Sequence, residues 1–143
     1  MWTKNFRRAL ISAVYQDIFT TALDEVGVSI IDLKGICNEY SSTETPLVQS
    51  ELEGVFDVYR SKTASYTERI KSKLTSWDKT YPLIKATLIS FALEIDLAAE
   101  NTVELEPNIV NKYVRLAQEF AGGDNPGLVH AVASKIFDEN KDN

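Results

Sequence analysis

The sequence predicts an all-α protein, a single compact bundle of about seven helices. Apolar residues recur at helical spacing in nearly every segment, which is the pattern that turns one face of a helix toward a core. No run of alternating polar and apolar residues is long enough to support a half-buried strand. The segments are also separated by the hydroxyl residues, prolines and glycines that start and stop helices. At 143 residues the chain is long enough for one domain with a real core and short for two ordinary ones.

The first helix is expected from about Lys4 to Thr20, with Thr3 as its cap and a stripe of Phe6, Leu10, Ala13 or Val14, and Ile18. A second follows Ser29, from about Ile30 to Tyr40, carrying Ile30, Leu33, Ile36 and Cys37. Thr45-Pro46 supplies a cap and the proline favoured at a first helical position, so a third helix should run from about Leu47 to Ser61 and bury Leu52, Val55, Phe56 and Tyr59. Ser65-Tyr66-Thr67-Glu68 fits a capping box and predicts a fourth start, with Tyr66, Ile70, Leu74 and Trp77 as the stripe. The fifth and most apolar helix begins near Pro82 and carries Ile84, Leu88, Phe91, Ala92 and Ile95, a face wide enough for a central position. After Glu100-Asn101-Thr102, two more helices flank the turn Gly122-Gly123-Asp124-Asn125-Pro126. Ile109, Tyr113, Leu116, Ala117 and Phe120 line one; Leu128, Val129, Val132 and Ile136 line the other.

Composition narrows the function. No run approaches the roughly eighteen apolar residues of a membrane span, and the opening MWTKNFRRALIS lacks the layout of a secretory signal. A soluble, cytoplasmic protein with no membrane partner is expected. The lone Cys37 can form neither an internal disulfide nor a thiolate metal site. A net charge of −6 argues against a generic nucleic-acid coat. It leaves room for a local basic patch, and it suits a basic protein partner.

The inventory for catalysis is thin. His130 is the one histidine and lies beside Val129 and Val132, without a second histidine or a cysteine pair to complete a zinc shell. Glu51 and Glu53, and Glu104 and Glu106, fall two apart and would point in different directions on a helix. The glycine turn lacks the lysine and hydroxyl of a P-loop, and Asp124 would oppose an anion. Its local chemistry is that of a joint: Gly122 or Gly123 in the left-handed conformation, Asp124 or Asn125 as a cap, and Pro126 at the first helical position. No enzyme activity, cofactor or metal is expected. What remains is a basic cluster, Lys4, Arg7 and Arg8, with Trp2 and Phe6 interleaved.

Taken in order, these fragments resemble the transcription antitermination factor NusB family, from about Thr3 to Ile136. Arg7 and the run Ala13-Val14-Tyr15-Gln16 resemble the family's arginine-rich opening and the segment after it. Leu52-Glu53-Gly54-Val55 and the spacing of Ile70, Leu74 and Trp77 lead into Lys85-Ala86-Thr87-Leu88-Ile89-Ser90-Phe91-Ala92-Leu93-Glu94-Ile95, which is similar to the family's central helix. Val110-Asn111, Leu116-Ala117, Phe120, Gly122-Gly123-Asp124 and Leu128-Val129 follow the family's C-terminal pattern without a gap.

The resemblance implies a bacterial adaptor that pairs with NusE, a small-subunit ribosomal protein, on boxA-type RNA. Through that pair it would act indirectly on the transcribing RNA polymerase complex during ribosomal RNA synthesis. It also implies that Arg7, with Lys4 and Arg8 as charge neighbours, contributes to RNA binding and that Glu94 contacts NusE. Tyr15 and Asp124 occupy family positions associated with function, with no assignment to RNA or to NusE. The chain departs from the pattern where Thr3, Lys4 and Asn5 replace arginines, Arg8 replaces a glutamate, and His130-Ala131 replaces asparagine-glycine. Lysine keeps the charge of an arginine but not its planar fork. The alternative expectation is therefore a NusB-like protein-interaction module that binds NusE and has lost most direct RNA recognition. A third, the accessory region of a ribosomal RNA methyltransferase, has no room here for the catalytic domain.

Overall fold

In a computed structural model, residues 2–23, 26–123 and 125–141 are described, and they fold as an all-α protein. Among them are six α-helices: α1 (Lys4–Ala22), α2 (Ile30–Tyr40), α3 (Gln49–Lys71), α4 (Pro82–Glu100), α5 (Ile109–Phe120) and α6 (Asn125–Lys141), with a short 3-10 turn at Trp77–Lys79. The helices fall into two compact units, Trp2–Lys62 and Thr63 onward, and α3 runs across the division.

In the N-terminal unit, the Thr3 hydroxyl accepts the Phe6 N–H at 3.1 Å and starts α1 as expected. The helix buries Phe6, Ala9, Leu10, Ile11, Ala13 and Val14, while Ile18 is only half-buried. Helix α2 packs on α1 and opens with a capping box: Ser29 Oγ accepts the Asp32 N–H at 3.1 Å, and Asp32 Oδ2 accepts the Ser29 N–H at 2.8 Å. Those bonds, the backbone one foremost, hold the Asp32 carboxyl below its usual range. Asp17 ties the returning loop to α1, its Oδ1 accepting the Val28 N–H at 3.3 Å and its Oδ2 the Tyr59 hydroxyl at 2.9 Å. Arg60 completes the tether by donating to the Val28 carbonyl. A Cβ at Gly27 would run into the Asp17 carboxylate, so a larger residue there would have to displace the group that holds the loop. Cys37 is buried, which pushes its thiol pKa up and leaves it a core residue.

Helix α3 corrects the expectation of two helices at this point. Its 23 residues run without a break through Ser61-Lys62-Thr63-Ala64-Ser65, so six α-helices stand where about seven were expected. That stretch contains neither glycine nor proline. Ending a helix there would orphan several backbone groups, whereas continuing it costs only tenths of a kcal/mol per residue in propensity, of order 0.5. The helix also starts at Gln49, two residues after the expected Leu47, because the preceding loop is closed by Ser41 Oγ accepting the Leu47 N–H at 2.9 Å.

In the C-terminal unit, Tyr66 and Ile70 of α3 are buried, as are Leu74 and Trp77 in the turns that follow. Pro82 opens α4 at its first turn, as its fixed φ favours. Helix α4 packs against both α5 and α6, which pack against each other. It buries Ile84 and every residue from Ala86 to Ile95. The Phe91 and Tyr113 rings meet edge to face, 5.2 Å apart and at 79°. Between α5 and α6, Gly122 and Gly123 both take the left-handed conformation, with φ of 64° and 63°. Asn125 Nδ2 donates to the Gly122 carbonyl at 3.0 Å, which closes the joint from the α6 side. Asp124 lies outside the described residues, as does any role for it.

Candidate nucleic-acid and partner interface

Helix α1 places the three expected cations differently. Lys4 is exposed. Arg8 is half-buried and donates from Nη1 to Asn5 Oδ1 at 3.0 Å. Arg7 is 2% exposed, and a guanidinium at that depth is stable only where the protein itself satisfies it. In this conformation the surface cations of the cluster are Lys4 and Arg8. The aromatic pair is also divided, because Phe6 is a core residue and Trp2, half-buried, leans on it with centroids 5.0 Å apart.

Toward the other end of α1, Tyr15 is half-buried and its ring stacks on Phe19 at 6.1 Å and 28°. Phe19 is 48% exposed, and Leu23 follows one turn later at 55%. Residues four apart share a helix face, so Tyr15 heads an apolar row. The Asp17 to Val28 tether brings the start of α2 back to this end, where Val26 (94%), Ile30 (67%) and Ile31 (82%) are also exposed. Five large apolar side chains in the open at one end of a unit are more than scattered surface residues explain. The sequence reading put Ile30 on the packed stripe of the second helix, and the structure corrects this: Leu33, Ile36 and Cys37 face α1's unit core and Ile30 does not. Spacing alone did not reveal this, because Ile30 lies three residues before Leu33, within the same helical periodicity as the buried face.

In the C-terminal unit, Glu94 is 6% exposed on α4, and its Oε1 accepts the Tyr113 hydroxyl at 2.7 Å. An acid on an apolar helix thus has an internal partner, found on α5. Nearby, Tyr66 is buried with its hydroxyl short of hydrogen-bond geometry. Burial first, and then the adjacent Asp96 carboxylate, push its pKa well up. Arg69 and Lys73 are committed to carboxylates, Arg69 to Asp96 at 2.9 Å and Lys73 to Glu139 at 2.8 Å.

His130 is exposed on α6 at the edge of a cleft of about 450 Å³ that Ile109, Ser134 and Phe137 also line. On the same rim Glu106 is paired with Lys112. His130 and Ser134 lie one turn apart, and no hydrogen bond between them exists among the described residues. No cluster of three or more His, Cys, Asp or Glu side chains that could hold a metal ion exists among the described residues, and no described helix is long and apolar enough to cross a membrane. Compared with known proteins, the chain matches no family model, no curated protein and no solved structure.

Proposed function

We propose that this protein is a cytoplasmic, non-enzymatic adaptor of transcription antitermination that pairs with NusE on boxA-type RNA. The ordered resemblance to the NusB family motivates the reading, and the polarity of α1 is the observation that carries it. Its 19 residues span about 28 Å. Lys4 and Arg8 stand at one end, and Phe19, Leu23 and the neighbouring Val26, Ile30 and Ile31 stand at the other. One element therefore offers cations for a phosphate backbone and an apolar surface for a protein. With two surface cations, the RNA affinity that the α1 cluster alone supplies is weak, and the salt slope attributable to it is about −1.4. Usable affinity comes when a basic partner adds contacts of its own.

The deciding experiment is a titration of labelled boxA RNA with the chain, with NusE and with both. Tighter binding by the pair supports the reading; binding no tighter than by either protein alone ends it. Burial of Arg7 favours the second reading, a module that keeps the protein partner and has lost RNA recognition. There the chain binds NusE while adding nothing to its RNA affinity. Glu94 is a poor probe of the partner surface, because Glu94→Lys places an amine where a buried carboxylate now meets Tyr113. Ile31→Asp and Phe19→Asp test that surface without entering a core.

A further inference from the structure

The chain's cations are not evenly spread. Residues 69–85, RIKSKLTSWDKTYPLIK, hold five of its 15 lysines and arginines and one of its 21 carboxylates. Arg69 and Lys73 are neutralised by Asp96 and Glu139. Lys71 and Lys79 are exposed, and neither has an acidic partner among the described residues. Lys85 holds its ammonium over the Trp77 ring, 5.0 Å from the centroid.

The backbone gathers these groups. Tight turns follow one another from the end of α3, with Leu74 N–H donating to the Lys71 carbonyl, Trp77 N–H to Leu74 and Thr80 N–H to Trp77. Helix α4 then begins, the Lys85 N–H donating to the Tyr81 carbonyl at 3.0 Å. Tyr81 and Lys85 therefore share one face of its first turn. Tyr81 is 66% exposed and makes no side-chain cap hydrogen bond. Tyr81, two residues after the exposed Lys79 and one turn before Lys85, keeps a large flat ring in solvent, a poor use of surface unless something stacks on it.

We propose that this surface binds single-stranded nucleic acid, with Lys71, Lys79 and Lys85 on the phosphates and Tyr81 stacked on a base. Exposed aromatics beside cations suit single strands, whose bases are free to stack while the backbone follows the charge. A duplex keeps its bases in its own stack. An acidic peptide would meet the same lysines and have no need of Tyr81. The site lies in the C-terminal unit and uses no residue of the α1 cluster, so it goes beyond the function proposed above.

The test is fluorescence anisotropy of the intact chain with a single-stranded oligouridylate of about 12 nucleotides, within the site sizes of such surfaces. Lys71→Glu/Lys79→Glu is expected to weaken binding at least tenfold and to reduce the salt slope by about 1.4. Tyr81→Ala is expected to weaken it roughly 5- to 100-fold with the slope unchanged. All three side chains are exposed, so helicity should hold in both variants, and circular dichroism checks it. Wild-type affinity in Tyr81→Ala, absence of RNA binding by the wild-type chain, or equally tight binding of a polyglutamate peptide each overturns the proposal. Lys4→Glu/Arg8→Glu separates it from the α1 reading. Loss there alone leaves α1 as the RNA site and removes this one, whereas loss in the Lys71/Lys79 variant alone does the reverse.

Discussion

Helix α4 and the junction between α1 and α2 are both rich in large aliphatic side chains, yet the protein uses them in opposite ways. Helix α4 buries every residue from Ala86 to Ile95, including Thr87, Ser90 and Glu94. The junction leaves Leu23, Val26, Ile30 and Ile31 more than half exposed. Hydrophobicity alone therefore does not decide burial; the neighbours do. Helix α4 has α5 and α6 packed against it, so even its polar residues are enclosed. At the junction the fold is held by directed polar contacts, Asp17 to Val28 and Tyr59 and the Ser29 and Asp32 box. The aliphatic side chains there stay in solvent.

The largest expected effect tests the α4 side of this contrast. Phe91→Ala removes a fully buried ring that meets Tyr113 and should cost about 3 to 5 kcal/mol in urea denaturation. A loss under about 1 kcal/mol would mean that α4 is not the packed element described here. Next, Tyr113→Phe takes the hydroxyl from Glu94 and should cost about 1 to 3 kcal/mol by the same measurement. An unchanged midpoint would return Glu94 to the list of residues awaiting a partner.

Ser29→Ala probes the polar hold on the junction and should cost about 1 kcal/mol, read as a lowered thermal midpoint. The same box gives a pH dependence. The Asp32 pKa is lowered in the folded protein, so its contribution is present above the unfolded value of about 3.9 and disappears as pH falls through the folded one. Asp32→Asn should flatten that part of an acid titration. The effect is small because Asp32 is exposed and screened by solvent. The smallest stability change belongs to Ile31→Asp, within about 0.5 kcal/mol of wild type; on the proposed pairing with NusE, a pull-down with this variant should recover less partner. A large loss of stability would show the exposed aliphatic end to be core after all.

What could be foreseen follows the range of the interactions. Thr3, Ser29 and Pro82 are local signals, because a cap and the N–H groups it satisfies lie within one turn. The glycine joint was legible for the same reason: only glycine takes two successive left-handed positions without strain. The capping-box pattern at Ser65 misled, since its four residues read alike at a helix start and in a helix interior. The burial of Arg7 and Glu94 was not legible, because sequence spacing cannot report depth. The Tyr113 hydroxyl that occupies Glu94 lies 19 residues away along the chain.

The sequence by itself determined the all-α class, where most helices begin, and the mechanics of the turn at Gly122-Gly123. Each depends on backbone conformation and on contacts a few residues apart. Tertiary structure decided which apolar faces are covered, that Arg7 and Glu94 lie inside, and that Ile31, Tyr81 and the lysines near it stand outside. Periodicity gives a helix a face but not a neighbour, and solvent exposure is a property of the neighbour.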